Sequence, residues 1–453
     1  MPDKARRRRR VSPVEFGPFR LPGMAITTRG RVALGVGSAA RWASRVTGRG
    51  AGAMIGGLVS IALDGSILRQ LGANRRTVVV TGTNGKSTTT RMTAAALATL
   101  GPVATNAEGA NMDAGLVAAL AGHRGADLAA LEVDEMHVPH VLDAVEAAVV
   151  VLLNLSRDQL DRVGEINHIE RTLRTGLARH PGAIVVANCD DVLMTSAAYD
   201  SENVVWVAAG GSWANDSVSC PRSGEIIVRE QSHWYSTGTP NVGPGGPPAF
   251  RRPTPQWWYD DDHVYGPDGL VLPMTLALPG TVNRGNATQA VAAAVALGAD
   301  PAAAVDAVSG VDEVAGRYRT VRLGPHTARL LLAKNPAGWQ EALSMVDKDA
   351  AGVVIAVNGQ VPDGEDLSWL WDVRFEGFAD EPLTRRADGR ATAVVAAGER
   401  GTDLAVRLGY AGVGHTLVHD TVKAIASCPP GHVEVIANYT AFLALNRVLE
   451  RGR

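Results

Sequence analysis

Apolar residues in this chain fall into short β-branched runs, separated by longer stretches in which small residues recur at helical spacing. Thr77-Val78-Val79-Val80, Asp127 to Glu132, Ala147 to Leu153 and Ala183 to Ala187 each read as a buried strand, with a shorter one at Val103-Ala104-Thr105. Thr88 to Leu100 reads as a helix that stops at Gly101-Pro102. Strands alternating with helices predict an α/β fold built on a parallel, doubly wound sheet. From about residue 212 to 269 the pattern breaks into Pro, Gly, Trp and polar residues, as an insertion would. Helical spacing returns at Ala287 to Leu297. A second α/β pattern begins near Thr320, with strands at Val353 to Val357 and Thr392 to Val395 and helices at Asp403 to Leu408 and Tyr439 to Leu449. The expected organisation is a disordered basic tail (1–25), a central domain (26–318) and a smaller α/β C-terminal domain (319–453).

Composition narrows the class. A chain of 453 residues with net charge −2 and few aromatics is globular, and nothing in it suggests nucleic-acid binding. Cys189, Cys220 and Cys428 are odd in number and widely spaced, so a disulfide framework is not expected and a reducing compartment fits. The one marked charge run, Lys4 to Arg10, lacks the apolar stretch of a secretion signal. It reads as a solvated tail or one that touches anionic lipid headgroups. Ala53 to Leu63 is apolar but too short to span a bilayer, and reads as a packed helix.

The stretch Thr77 to Thr90, TVVVTGTNGKSTTT, carries the chemistry. A buried strand, a glycine-flanked turn and Lys-Ser at a helix start form a phosphate-binding loop. Its backbone N–H groups and the helix N-terminus favour an anion. Gly82, Thr83, Asn84, Gly85, Lys86, Ser87 and Thr88 are the candidate nucleotide contacts, Lys86 as a point charge and Ser87 as a Mg²⁺ ligand. The full Walker pattern needs a further glycine where Val80 stands, so this is a shortened form. Glu132, at a strand end facing that loop, is a candidate Mg²⁺ ligand; Asp158 is a weaker one. Helix capping or pairing with arginine is the alternative for both. His137 and His140 flank Pro139, which favours surface histidines at a helix start over a metal site.

These motifs resemble the central domain of Mur ligases. The resemblance rests on the loop, on Leu131-Glu132-Val133-Asp134-Glu135 and on Asn154 to Arg162. Leu278 to Asn286 and Gly316-Arg317-Tyr318 extend it. RDQLDRVGE (Arg157 to Glu165), LLAKNPAGWQ (Leu331 to Gln340), DGEDLSWLWDVRFE (Asp363 to Glu376) and AVRLGYAG (Ala405 to Gly412) are similar, more narrowly, to the MurT family, the ligase subunits of lipid II isoglutaminyl synthases. The resemblance implies ATP and Mg²⁺, with Asn283, Asn286 and Arg317 beside the nucleotide; for the two asparagines helix capping is the alternative. It implies a heterodimer with a GatD-like glutamine amidotransferase that releases ammonia, and a lipid II substrate at the membrane surface. The α-carboxylate of D-glutamate in the stem peptide would become an acyl phosphate and then D-isoglutamine, in peptidoglycan synthesis. Asp366 would complete the partner's Cys–His pair as its orienting carboxylate, with Asp363 and Asp372 close enough to be confused with it. A cytoplasmic location follows, with peripheral attachment at the inner face of the plasma membrane as an open variant.

Several departures matter. No UDP-binding domain precedes the loop, Gln159 replaces a metal-binding His of ordinary Mur ligases, and no lysine lies between Lys86 and Lys334 to hold a second Mg²⁺. Relatives often carry a four-cysteine zinc ribbon in the insertion. Here only Cys220 remains of a first knuckle, with His233 near the second, so zinc is not expected. The competing readings are a free-standing Mur or folylpolyglutamate-type ligase and a non-catalytic ATP-binding scaffold.

Overall fold

The computed structural model describes residues 26–46, 53–106, 110–157, 163–211, 216–231, 233–237, 250–312, 318–363, 366–379 and 392–451. The chain opens with three helices, α1 (Thr28–Val46), α2 (Ala53–Leu63) and α3 (Ile67–Gly72). The first sheet follows. Its strands are β1 (Arg76–Thr81), β2 (Val103–Thr105), β3 (Leu128–Glu132), β4 (Val149–Leu152), β5 (Ile184–Asn188) and β6 (Asn203–Val207). Between them run α4 (Lys86–Leu97), α5 (Asp113–Gly122), α6 (Val138–Val145), α7 (Val163–Ala178) and α8 (Val192–Ala198).

All strand pairs in this sheet are parallel, in the order β2-β3-β1-β4-β5-β6. β1 is central and its residues Thr77 to Thr81 are buried, as a parallel strand covered on both faces requires. The chain leaves β1 toward β2 and β3, then crosses back to β4. The loop after β1 therefore sits at the point where strand order reverses, where open α/β sheets bind ligands. Register puts Val80 beside Glu132 and Thr81 beside Leu152, so the ends of β3 and β4 flank that loop.

The described residues between 216 and 273 include small antiparallel pieces: β7 (Ile227–Glu230) with β8 (His233–Ser236), and β9 (Trp258–Tyr259) with β10 (His263–Tyr265) and β11 (Val271–Pro273). Trp257 bridges in parallel to Val207, so this segment returns to the edge of the first sheet beside β6. Cys220, Ile227 and Trp234 close with Val192 into a small apolar cluster, with Phe250 packed on it. The Trp234 indole N–H donates to the Cys189 carbonyl at 2.9 Å. Aromatic packing, with Trp234 against Phe250 at 5.0 Å, organises this segment.

Helices α9 (Thr281–Ala296) and α10 (Pro301–Ser309) cover one face of the first sheet. The second sheet contains β12 (Tyr318–Leu323), β13 (His326–Leu332), β14 (Gly352–Ala356), β15 (Ala393–Ala397), β16 (Thr416–Leu417) and β17 (Gly431–Ala437), in the order β12-β13-β17-β14-β15-β16. Only the β12–β13 hairpin is antiparallel among its described pairs. Helix α11 (Pro336–Ser344) and the helices Gly401–Tyr410, Thr421–Ser427 and Tyr439–Arg451 flank it. On one face of this sheet Trp339, fully buried, stacks on Trp369 at 5.5 Å and meets Phe375 edge-on at 6.3 Å. Trp339→Ala is expected to destabilise the protein by about 3–5 kcal/mol, read as a lowered denaturant midpoint, because the cavity left cannot fully collapse.

Candidate functional site

The loop after β1 is shaped by two glycines in left-handed or extended-positive backbone, Gly82 (φ 142) and Gly85 (φ 83). A Cβ on Gly82 would stand 2.8 Å from the Leu153 Cβ, so the loop can lie against the end of β4 only because this residue lacks one. The end of β4 then holds the loop down. Thr83 N–H donates to the Asn154 carbonyl at 2.9 Å, and Asn84 N–H donates to Asn154 Oδ1 at 2.9 Å. Asn154 Nδ2 returns a bond to the Asn84 carbonyl at 3.0 Å, and Ser156 N–H donates to Thr83 Oγ1 at 3.0 Å. Asn154 is thus a clamp on the loop.

Lys86 opens α4 with its side chain folded back under the loop. Its ammonium donates to the Gly82 carbonyl at 2.6 Å and pairs with Glu135 Oε1 at 3.2 Å, both side chains about nine-tenths buried. Ser87 and Thr88 follow in the first turn of α4, Thr88 buried. Glu132 ends β3; its own N–H donates to Asn106 Oδ1 and its carbonyl accepts from Asn106 Nδ2, both at 2.8 Å. Its carboxylate oxygen Oε2 is buried with no hydrogen-bond partner. A buried carboxylate oxygen left unpaired costs free energy unless a cation or donor meets it. Such an oxygen, beside a phosphate loop, fits a divalent cation.

Asn283 and Asn286 lie inside α9, whose N-cap is Gly280, so neither caps the helix. Asn283 Nδ2 donates back to the Pro279 carbonyl at 2.6 Å and Asn286 Nδ2 to Asn283 Oδ1 at 3.4 Å. Asn286 stands so close to the loop that a Cβ on Gly85 would fall 3.0 Å from its Oδ1. Arg317, Asp158 and Gln159 lie outside the described residues. His137 is the N-cap of α6, and His140 in its first turn pairs with Asp113 at 3.1 Å.

The second sheet reaches the same place. Asn335 caps α11 by accepting from Gly338 N–H at 2.8 Å, and the same oxygen accepts from Asn84 Nδ2 at 3.2 Å. A cavity of about 170 Å³ lies between, lined by Asn84, Asn154, Asn188, Tyr259, Asn286 and Ala337 among others. The N-terminal end of α11 therefore points its dipole toward the loop. In the sequence Glu135, Asn154 and Asn335 stand out only as members of motifs. Their roles depend on through-space contacts across 49, 70 and 251 positions that no spacing encodes.

Asp191, at the far wall of this cavity, caps α8 through Met194 N–H at 2.8 Å and accepts from Leu155 N–H at 3.1 Å. Burial pushes its carboxyl up to about 6, with those backbone bonds pulling the other way. A carboxyl raised on folding adds stability that is complete below its ordinary value of 3.8 and is lost as pH rises through about 6. Asp191→Asn, which keeps an acceptor oxygen, is expected to flatten the thermal-stability curve across that window.

The three carboxylates near the expected partner contact separate cleanly. Asp363 is committed to the start of the last helix, accepting from Tyr439 N–H at 2.9 Å and Thr440 N–H at 2.8 Å. Asp372 is half-buried near Arg157 and Asp216, and burial raises its carboxyl. Asp366 is exposed, accepting from Ser368 N–H at 2.8 Å and Ser368 Oγ at 3.0 Å, so the turn that follows fixes its orientation. Among the described residues no group of three or more His, Cys, Asp or Glu is placed to hold a metal. Nor is any described helix long and apolar enough to cross a membrane.

Comparison with known proteins follows the same division. Residues 80–235 match the family model of the Mur ligase middle domain, and residues 332–442 that of the MurT ligase C-terminal domain. The MurT subunit of lipid II isoglutaminyl synthase (glutamine-hydrolyzing) from Streptococcus pneumoniae is 29% identical over 88% of this chain and 93% of its own length. The MurT subunit from Staphylococcus aureus strain COL is 28% identical over 91% of this chain and 97% of its own. Among solved structures, a pseudomurein peptide ligase type C from Methanothermus fervidus superposes with TM-score 0.60 at 17% identity, covering 84% of this chain and 79% of that one. MurF from Acinetobacter baumannii does so with TM-score 0.60 at 17% identity, over 87% and 80%. Those two likenesses concern the fold. The chain thus joins a Mur ligase middle domain to a MurT ligase C-terminal domain and is a relative of the MurT ligase subunits.

Proposed function

We propose that this chain, with a glutaminase partner, converts the α-carboxylate of D-glutamate in the lipid II stem peptide to the amide at the expense of ATP. The observation that carries the reading is the meeting of the phosphate loop with the MurT-type half: Asn84 of the loop bonds Asn335 beside a cavity that Asn84 helps to line. The relatives' activity on lipid II supports the substrate.

A carboxylate does not react with ammonia because its leaving group would be oxide. Transfer of the γ-phosphoryl group to a carboxylate oxygen gives an acyl phosphate and ADP. Ammonia then attacks the carbonyl carbon, the carbon–oxygen bond to phosphate breaks, and the nitrogen sheds a proton. The chain's part is positioning and charge neutralisation. Lys86 and the N–H groups from Gly85 to Thr88 would bind the β- and γ-phosphates, the N–H groups of Thr83 and Asn84 being taken by Asn154, with Asn283, Asn286 and Arg317 beside the rest of the nucleotide. Ser87 and Glu132 would hold Mg²⁺, which neutralises phosphate charge when bound. Asn154 keeps the loop in place throughout, and Glu135 holds Lys86 until phosphate arrives. Asp366 would orient the catalytic histidine of a GatD-like partner.

Substrate labelled with heavy oxygen in its α-carboxylate tests the acyl phosphate. One labelled oxygen is expected in the phosphate released per amide formed. Release of unlabelled phosphate alone would remove the intermediate from the account.

A further inference from the structure

The α1–α2 pair is built inside out for a helical hairpin in water. Its inner contacts use small residues: a Cβ on Gly37 would lie 2.5 Å from the Gly56 carbonyl oxygen, and one on Gly57 would lie 1.9 Å from that of Ala114 on α5. Ser60 Oγ donates across the gap to the Ala33 carbonyl at 3.2 Å. Leu34 packs into the core and Ile61 lies against it, but most of the large apolar residues point outward. Val32, Val36, Trp42 and Val46 recur at helical spacing along α1 and are all exposed, Trp42 by 67%. On α2, Ile55 and Leu58 are likewise exposed, Leu58 by 57%. Soluble helices turn such residues inward. Close small-residue contacts with outward bulky side chains suit a helix whose outer face meets hydrocarbon.

Charge selects the occupant. No acidic residue occurs between Glu15 and Asp64, while Arg20, Arg29, Arg31, Arg41, Arg45 and Arg49 do. Arg29 and Arg31 are exposed at the start of α1, the former bonded to the Leu63 carbonyl at 2.7 Å and so placed at the end of both helices. An apolar face edged with cations and free of acids complements an anionic bilayer and would suit an acidic protein surface less well. Neither helix is long and apolar enough to cross.

We propose that the α1–α2 hairpin docks the protein on the surface of an anionic phospholipid bilayer, its exposed apolar faces set at the headgroup level. The inference stands apart from the amidation reading, since it needs no substrate. It would keep the phosphate loop near the bilayer surface, where a membrane-anchored substrate would lie.

The test is sedimentation of the full chain with vesicles of phosphatidylglycerol and phosphatidylcholine in equal parts, and with phosphatidylcholine alone. Binding is expected only to the anionic vesicles, with release at high salt. The Trp42→Ser/Leu58→Ser variant, altered only at exposed positions, is expected to bind on the order of tenfold more weakly at unchanged melting temperature. Equal binding by that variant would overturn the proposal, as would failure of the wild-type chain to bind anionic vesicles. A wild-type dimer that the variant converts to monomer, with no vesicle binding, would assign this face to a second copy instead.

Discussion

Lys86→Ala is expected to lower ATP-dependent amidation by about 10³-fold or more, while leaving association with the glutaminase partner intact. Lys86 is the only lysine in the loop and the only one between Lys4 and Lys334. The site is also mostly closed to water, which strengthens each charge contact. Removing the ammonium leaves Glu135 buried without its partner, which by itself costs stability. The Lys86→Ala/Glu135→Gln double variant separates the two effects. It is expected to melt close to wild type and still to turn over no ATP. Recovery of turnover in the double variant would show that the lysine served the fold and not the nucleotide.

Asp366→Asn is expected to cut glutamine-driven amidation by roughly 10³–10⁴, the scale at which an orienting carboxylate in a triad matters. Asparagine keeps the oxygen that accepts from Ser368, so the turn should survive and the expected loss is chemical. With ammonium supplied directly, the same variant is expected to amidate within about twofold of wild type, because Asp366 is proposed to serve the partner's histidine and not the phosphate loop. Loss of both activities would move Asp366 into the ligase site; loss of neither would remove it from the account. Asp363→Asn serves as the contrast. Its two backbone acceptor bonds start the last helix, so its effect should appear as lowered stability.

How far the sequence revealed this molecule depends on how local each signal is. β1, β3, β4 and β5 are continuous β-branched or aliphatic runs, and α2 matches its apolar stretch residue for residue. The helix expected from Ala287 instead begins at Thr281, because its first turns carry Asn and Arg that read as loop. β17, at the centre of the second sheet, was not legible at all. Glu434 stands in its middle, fully buried, and looks like a surface residue until Arg329 and His432 are seen to pair with it. The same limit holds for the site. The glycines, Lys86 and Glu132 announce themselves by motif. Asn335 and Glu135 acquire roles only when the chain folds distant segments together. Inverted polarity of α1 was hidden differently: its spacing is ordinary, and only the packing reveals that glycine faces in and tryptophan faces out.

The most direct test of the central claim is formation of D-isoglutamine on lipid II by the co-purified complex, with ATP and glutamine each present or withheld. The account requires amide product and stoichiometric ADP only when both are present, with ammonium able to replace glutamine. Amide formed without ATP, or ATP consumed by the chain alone to attach an amino acid, would contradict it.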